Sequence, residues 1–151
     1  MTESRPPVLE ALRRYALSYQ ASVLALARWM ELPVNDGTAL GEVIWAEGEG
    51  APLTPARLTA RLGFTSGATN ALVNRLEGLG LVERSRESVD RRVVTLRATA
   101  AAHERAEPFL ARGRAELDAA LAGWDSATLA TVAEVLDRFA SVLPGDEPRA
   151  R

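Results

Sequence analysis

The sequence predicts a mainly α-helical chain of six helices with one small β-hairpin, of two to three strands, placed between the fourth and the fifth. Three observations carry that prediction. Apolar residues recur at a 3-4 spacing through most of the chain, the mark of amphipathic helices. The run from Val93 to Arg97 alternates instead with a period of two, as a strand does. Caps and stops such as Thr54-Pro55, Gly63 and Thr99 fall where the periodic runs begin and end.

Pro6 and Pro7 suit a helix start, and Val8 to about Met30 reads as one long helix with Leu12, Ala16, Tyr19, Val23, Leu26 and Met30 on one side. At ~1.5 Å per residue it is about 34 Å long, more than a small monomer needs. Leu9, Tyr15, Leu17 and Trp29 lie off that stripe, so the helix asks for partners on two sides. After "LPVND", Asp36 or Thr38 can cap a second helix through Leu40, Val43, Ile44 and Ala46, which "EGEGAP" ends.

In "LTPARLTARLG", Thr54 is the expected N-cap, Pro55 the first helical residue and Gly63 the stop. A tight turn follows, and Thr65 or Ser66 caps a helix running to about Gly78. Its apolar side is expected to be Ala68, Leu72, Val73 and Leu76, and its outer side Ser66, Gly67, Asn70, Ala71 and Asn74. Two short helices about a tight turn, the second with a small polar outer face, form a helix-turn-helix signature. "GLGLVERSR" and "RRVVTLRA" read as the strands of the hairpin, joined through "ESVD". Thr99 caps a helix to about Ala122, in which Pro108 is expected to kink the axis or mark a weak point. A final helix is expected to turn Leu129, Val132, Val135 or Leu136, Phe139 and Leu143 inside.

Composition limits the chemistry. The chain has 151 residues, 47% apolar and 25% charged, which fits a globular protein rather than a disordered one. With no cysteine there are no disulfides, thiolate catalysis or cysteine-ligated zinc. The single histidine, His103, speaks against a protein-built metal site and reads as a surface or interface residue rather than a sensor. No run of ~18 apolar residues is present and "MTESRPPVLE" lacks an apolar signal core, so a cytoplasmic protein with no membrane partner is expected. Without a glycine-rich phosphate loop or paired carboxylates at a plausible site, neither an enzyme nor a cofactor is expected.

The net charge of −2 hides a gradient. From Thr54 to Arg97 eight arginines stand against four acids, giving +4 and leaving −6 for the remainder. Such a block suits a face for polyanions. All eighteen basic residues are Arg, which a GC-rich codon supply explains equally well.

With "LTPARLTARLGFTSGATNALVNRLEGLGLVERSRESVDRRVVTLRAT" at its centre, the chain closely resembles the MarR family of winged helix-turn-helix transcription regulators, from about Val8 to Leu143. The most specific parts are "ATNALVNRLEGLGLVER" and "DRR" followed by Ala-Thr, where the family usually has Leu-Thr. The resemblance implies a helical dimerisation region over 8–34 and 100–143 and a winged DNA-binding lobe over 36–99, with tails at 1–7 and 144–151. It implies a recognition helix from about Thr65, with Ser66, Gly67, Ala68, Asn70 and Asn74 toward bases or phosphates. Arg92 matches the wing-tip arginine that enters the minor groove, and Asp90 the acid that steadies it. Effectors in this family, where they exist, usually bind between the dimerisation region and the DNA-binding lobe.

The chain also departs from the family pattern. Ala71 replaces a frequent basic residue, and Gly67 and Ala68 are smaller than the usual Ser or Thr. Reading is then expected to lean on DNA shape and close backbone approach.

Each of these residues also has a plainer reading. Arg86, Arg91 and Arg92 can be solvated turn residues, although the helix-turn-helix upstream favours DNA contact. Arg75 can meet a phosphate or pair with Glu77, Glu83 or a carbonyl. Asn70 and Asn74 are poor helix formers placed four apart on one outer face, which favours a binding role. Tyr15, Tyr19, Trp29 and Trp45 can line an effector pocket, but aromatic residues at helical spacing more often fill a core or a dimer interface. The leading expectation is a homodimeric repressor that binds double-stranded DNA at a pseudo-palindromic operator and is released by a small molecule. The alternative is a winged-helix interaction module with a worn DNA-reading face.

Overall fold

The computed structural model describes residues 7–86 and 93–143, and the chain divides into two compact units, Met1–Ala111 and Arg112–Arg151. The first unit holds α1 (Pro7–Trp29), α2 (Val34–Gly48), α3 (Pro55–Leu62), α4 (Ser66–Gly78), β1 (Val82–Ser85), β2 (Thr95–Ala98) and the start of α5 (Ala100–Leu121). The second holds the rest of α5 and α6 (Ser126–Val142).

The stripe on α1 is buried only at its C-terminal end. Leu26 and Met30 are in the core and Val23 is half-buried, while Ala16 and Tyr19 remain exposed. Glu31, at φ 55°, turns the chain in the left-handed region, and the Leu32 N–H reaches back to the Ala27 carbonyl at 2.9 Å. Pro33 then prevents the helix from resuming.

The start of α2 differs from the sequence expectation. The helix begins at Val34 behind Pro33, which makes no side-chain cap, so neither Asp36 nor Thr38 is the capping residue. The Thr38 hydroxyl instead donates to the Val34 carbonyl at 2.8 Å, and Asp36 is buried in an ion pair with a distant arginine. Beside it, α2 crosses α1 at very close range. A Cβ on Gly37 would stand 2.4 Å from Ala27 Cβ and 2.6 Å from Ala27 Cα, so only glycine permits this crossing.

The helix-turn-helix forms from local signals. Thr54 Oγ1 accepts the Arg57 N–H at 3.2 Å, Pro55 opens α3, and Gly63 closes it at φ 66°. Thr65 repeats the device for α4, accepting the Ala68 N–H at 3.2 Å. The hairpin is antiparallel, from the pair Val82–Ala98 to Ser85–Thr95. It is a two-stranded sheet, and where a third strand would lie there is a bond from the Leu96 N–H to the Leu53 carbonyl, 2.7 Å.

Thr99 locks the exit. Its hydroxyl donates to the Gly80 carbonyl at 2.6 Å and accepts the Ala102 N–H at 3.2 Å as α5 begins. One core joins these elements, with Met30, Leu40, Val43, Leu53, Leu58, Leu72, Val73, Leu76 and Leu96 all essentially without solvent contact. α5 is assigned as one helix through Pro108, and the boundary between the two units falls shortly beyond it.

In the second unit, the Asp125 carboxylate caps α6 by accepting the Thr128 N–H at 2.9 Å and the Thr128 hydroxyl at 3.0 Å. These hydrogen bonds, the backbone one foremost, hold its pKa below the ordinary value. A depressed carboxylate stabilises the fold above its unfolded pKa of about 3.9, and the gain is lost as pH falls through the folded value. Asparagine keeps the cap without titrating. Acid titration of α6 helicity should therefore be shallower in Asp125→Asn than in the wild type, and equal slopes would exclude the account.

No residue of α6 is buried, and Val132, Val135 and Leu136 are exposed along it. Among the described residues no helix is long and apolar enough to cross a membrane, and no group of acidic or His residues gathers to hold a metal ion.

Candidate nucleic-acid interface

α4 has two sharply different faces. Thr69, Leu72, Val73 and Leu76 are buried, a 3-1-3 spacing that keeps them on one side of the helix. Ser66, Gly67, Asn70, Ala71 and Asn74 are all exposed, as the sequence pattern predicts.

One assignment is corrected. Ala68 is exposed rather than part of the apolar side, and the inward position belongs to Thr69. The Thr69 methyl packs as a small hydrophobe would, and its hydroxyl finds no hydrogen-bond partner among the described residues. Thr65 is exposed at the head of the same helix, with its hydroxyl engaged as the cap.

The outer face is bordered by arginines with carboxylate partners. Arg75 donates from Nε to Asp36 Oδ2 at 3.0 Å and from Nη2 to Asp36 Oδ1 at 2.6 Å, a two-pronged pair. Asp36 is 2% exposed whereas the Arg75 side chain is 55% exposed, so the pair reaches from the core to the surface. The hydrogen bond to Asp36 raises the Arg75 pKa further above its ordinary value. Arg84, on β1, pairs with Glu77, and its Nη2 donates to Asn74 Oδ1 at 3.1 Å. Asn74 therefore presents its outer face with its carbonyl oxygen already engaged.

The basic block is thus partly neutralised by α2, which lies outside it in sequence. Glu42 of α2 takes Arg61 at 2.8 Å, and Glu47 of α2 stands 3.7 Å from Arg97. Glu47 also accepts the Ala98 N–H at 3.2 Å and meets His103 Nε2 at 3.0 Å. His103 is accordingly a tether between α5, α2 and the wing strand. Sequence reading missed Asp36, Glu42, Glu47 and Arg84, whose partners lie on other elements. Arg86 is exposed directly after β1. The wing-tip residues Asp90, Arg91 and Arg92 lie outside the described residues.

The four aromatic residues do not gather at one place. Tyr15 and Tyr19 stack along α1 with ring centroids 6.3 Å apart. Tyr19 lines a groove of about 380 Å³ with Gln20, Val23, Leu24, Thr38 and Glu42. Burial first, then the nearby Glu42 charge, raises the pKa of its hydroxyl. Trp29 faces elsewhere, donating from Nε1 to the Arg105 carbonyl at 2.7 Å and packing 6.1 Å from Phe109. Trp45 stands exposed on α2.

Residues 32–93, from the turn before α2 to the foot of β2, match the MarR family. Solved structures agree over nearly the whole chain. A MarR transcription regulator from Oenococcus oeni PSU-1 is 16% identical, with 89% of this chain and 98% of that one covered at a TM-score of 0.64. A mutant MepR from a multidrug-resistant S. aureus clinical isolate is 15% identical, with 93% and 100% covered at 0.65. A second S. aureus MepR mutant, bound to an oligodeoxyribonucleotide, is 16% identical, with 93% and 100% covered at 0.51. No curated protein shows significant similarity to the chain. The match over residues 32–93, together with six helices around a two-stranded hairpin, gives the described residues the fold of the MarR winged helix-turn-helix structures to which the chain is similar.

Proposed function

We propose that the chain works in the cytoplasm as a homodimeric transcriptional repressor, holding a pseudo-palindromic DNA operator until a small molecule releases it. The observation that carries the reading is the division of α4. One face is sealed into the core, and the other offers Ser66, Gly67, Asn70, Ala71 and Asn74 to solvent. A surface this small and polar admits close approach of a helix to the edges of bases. The related MepR mutant bound to an oligodeoxyribonucleotide supports the same use of the fold.

Dimerisation is supported by uncovered apolar surface. Tyr15, Leu17 and Tyr19 on α1 are exposed, and so are Leu117 and Leu121 on α5 and Val132 and Leu136 on α6. Exposed apolar residues in such number on amphipathic helices mark an interaction surface. For release, the groove beside Tyr19 has the size of a small-molecule site, with apolar walls and a few polar groups. The small residues at 67, 68 and 71 favour the second reading, a protein-interaction module, and binding to DNA decides between the two.

The test is a footprint and a salt titration on a duplex containing the operator. A dimer should protect two half-sites about one helical turn, ~34 Å, apart. Affinity should fall steeply between ~50 and ~200 mM salt, as neutralised phosphates release their counterions. Protection of a single half-site, a salt-indifferent affinity, or light scattering that gives the mass of one chain would reject the reading.

A further inference from the structure

We propose that Asp36 is a positioning residue for DNA binding, which aims the free edge of the Arg75 guanidinium at a backbone phosphate. The proposal rests on the DNA-binding reading above and adds to it a residue outside the recognition helix.

Arg75 is one residue beyond Asn74 on α4, about 100° around the helix, so it stands at the rim of the exposed face rather than on it. A rim position suits phosphate contact, since the backbone of the duplex flanks the groove a helix enters. The two bonds to Asp36 occupy two of the five guanidinium N–H groups. The other N–H groups stay on a side chain that is about half exposed. A free arginine would lose rotamer entropy on meeting a phosphate, whereas one held by a bidentate carboxylate has already lost it.

The carboxylate is itself seated in the core. Asp36 is buried in the first turn of α2, and its neighbour Gly37 lies against the Ala27 backbone with no room for a Cβ. Arg75 is therefore referenced through α2 to α1, and the phosphate contact is fixed to the body of the protein. By the opposite logic, a carboxylate that merely masked Arg75 would oppose DNA binding. The two roles predict opposite signs for the loss of the Asp36 charge.

The experiment uses the full chain and a labelled, mixed-sequence duplex of ~30 base pairs, about three turns at ~10.5 base pairs each. Wild type, Asp36→Asn, Arg75→Gln and the double variant are compared at several salt concentrations, with melting temperature recorded for each. Asp36→Asn should bind about tenfold more weakly although it makes the protein less negative, the effect of one charge-assisted hydrogen bond. The slope of log affinity against log salt should shrink by about 1 per subunit bound. In the Arg75→Gln background the same change should do nothing more, because Asp36 acts through Arg75.

Equal or tighter binding by a folded Asp36→Asn would overturn the proposal, as would losses that add in the double variant. Should Asp36→Asn not fold, Arg75→Lys keeps the charge and a partner for Asp36 but cannot offer a planar fork. It should fold and bind weakly with a reduced slope, and wild-type binding by it would likewise overturn the proposal. A wild-type chain that leaves the duplex free at low salt removes the DNA-binding reading itself, which no variant result can do.

Discussion

Gly37→Ala is expected to lower the stability of the fold by about 3 kcal/mol, the upper end for an added methyl in a packed site. The reason is what the methyl meets. Its Cβ would stand 2.6 Å from Ala27 Cα, and a backbone atom in the last turn of α1, packed in the core, cannot step aside as the end of a side chain can. α1 and α2 would have to separate along their crossing, and Leu26, Met30, Leu40 and Val43 would lose contact with it. Helix propensity points the other way, since Ala is favoured over Gly by about 1 kcal/mol in a helix interior. A gain in stability would therefore show that the crossing is looser than described.

For a chain of this length the loss corresponds to a fall in melting temperature of roughly 6–12 °C. Trimming the partner, as Ala27→Gly in the same chain, removes the 2.4 Å contact between the two Cβ atoms but not the contact with Cα. Rescue should accordingly be partial. The variant also tests the proposed role of Asp36, because moving the start of α2 moves the carboxylate that holds Arg75.

Where local chemistry decides structure, the sequence is a good guide. Thr54, Pro55, Gly63 and Thr65 each act within four residues of themselves, and the ends of α3 and α4 follow from them. The hairpin follows from the period-two run ending at Ala98, which buries Leu96 and Ala98. The start of α2 is harder to read for the same physical reason. Asp36 has the composition of a cap, but its carboxylate is claimed by Arg75, 39 residues away, and no local pattern announces that.

The charge block fails similarly. Counting along the chain makes 54–97 basic, while the fold brings Asp36, Glu42 and Glu47 of α2 against its arginines. Exposed basic potential is a property of the surface, and the count along the segment overstates it. Thr69 hid behind its hydroxyl. Ala68 looked like the inward residue because it is apolar, yet the helical geometry that places Leu72, Val73 and Leu76 inside also places residue 69 there.

The division of α4 gives the last expectation, a pair of variants on one helix whose effects should part. Leu76→Ala removes a side chain with no solvent exposure from the centre of the core and should destabilise the fold by about 2–5 kcal/mol. Asn70→Ala, about one and two-thirds turns earlier and on the exposed face, removes an amide that makes no contribution to the core. Alanine is the better helix former by roughly 0.5 kcal/mol, so this variant should be as stable as wild type or slightly more stable. If the outer face reads DNA, the second variant should nevertheless bind the operator more weakly, by about 1–3 kcal/mol for a direct base contact. Leu76→Ala, measured well below its lowered melting temperature, should retain more affinity than Asn70→Ala. Stability and DNA binding would then move in opposite directions at two positions six residues apart. Urea denaturation and operator affinity, measured on the same preparations, check both. An Asn70→Ala chain that binds as wild type does would remove Asn70 from the interface. One that loses stability would mean that α4 is not oriented as described.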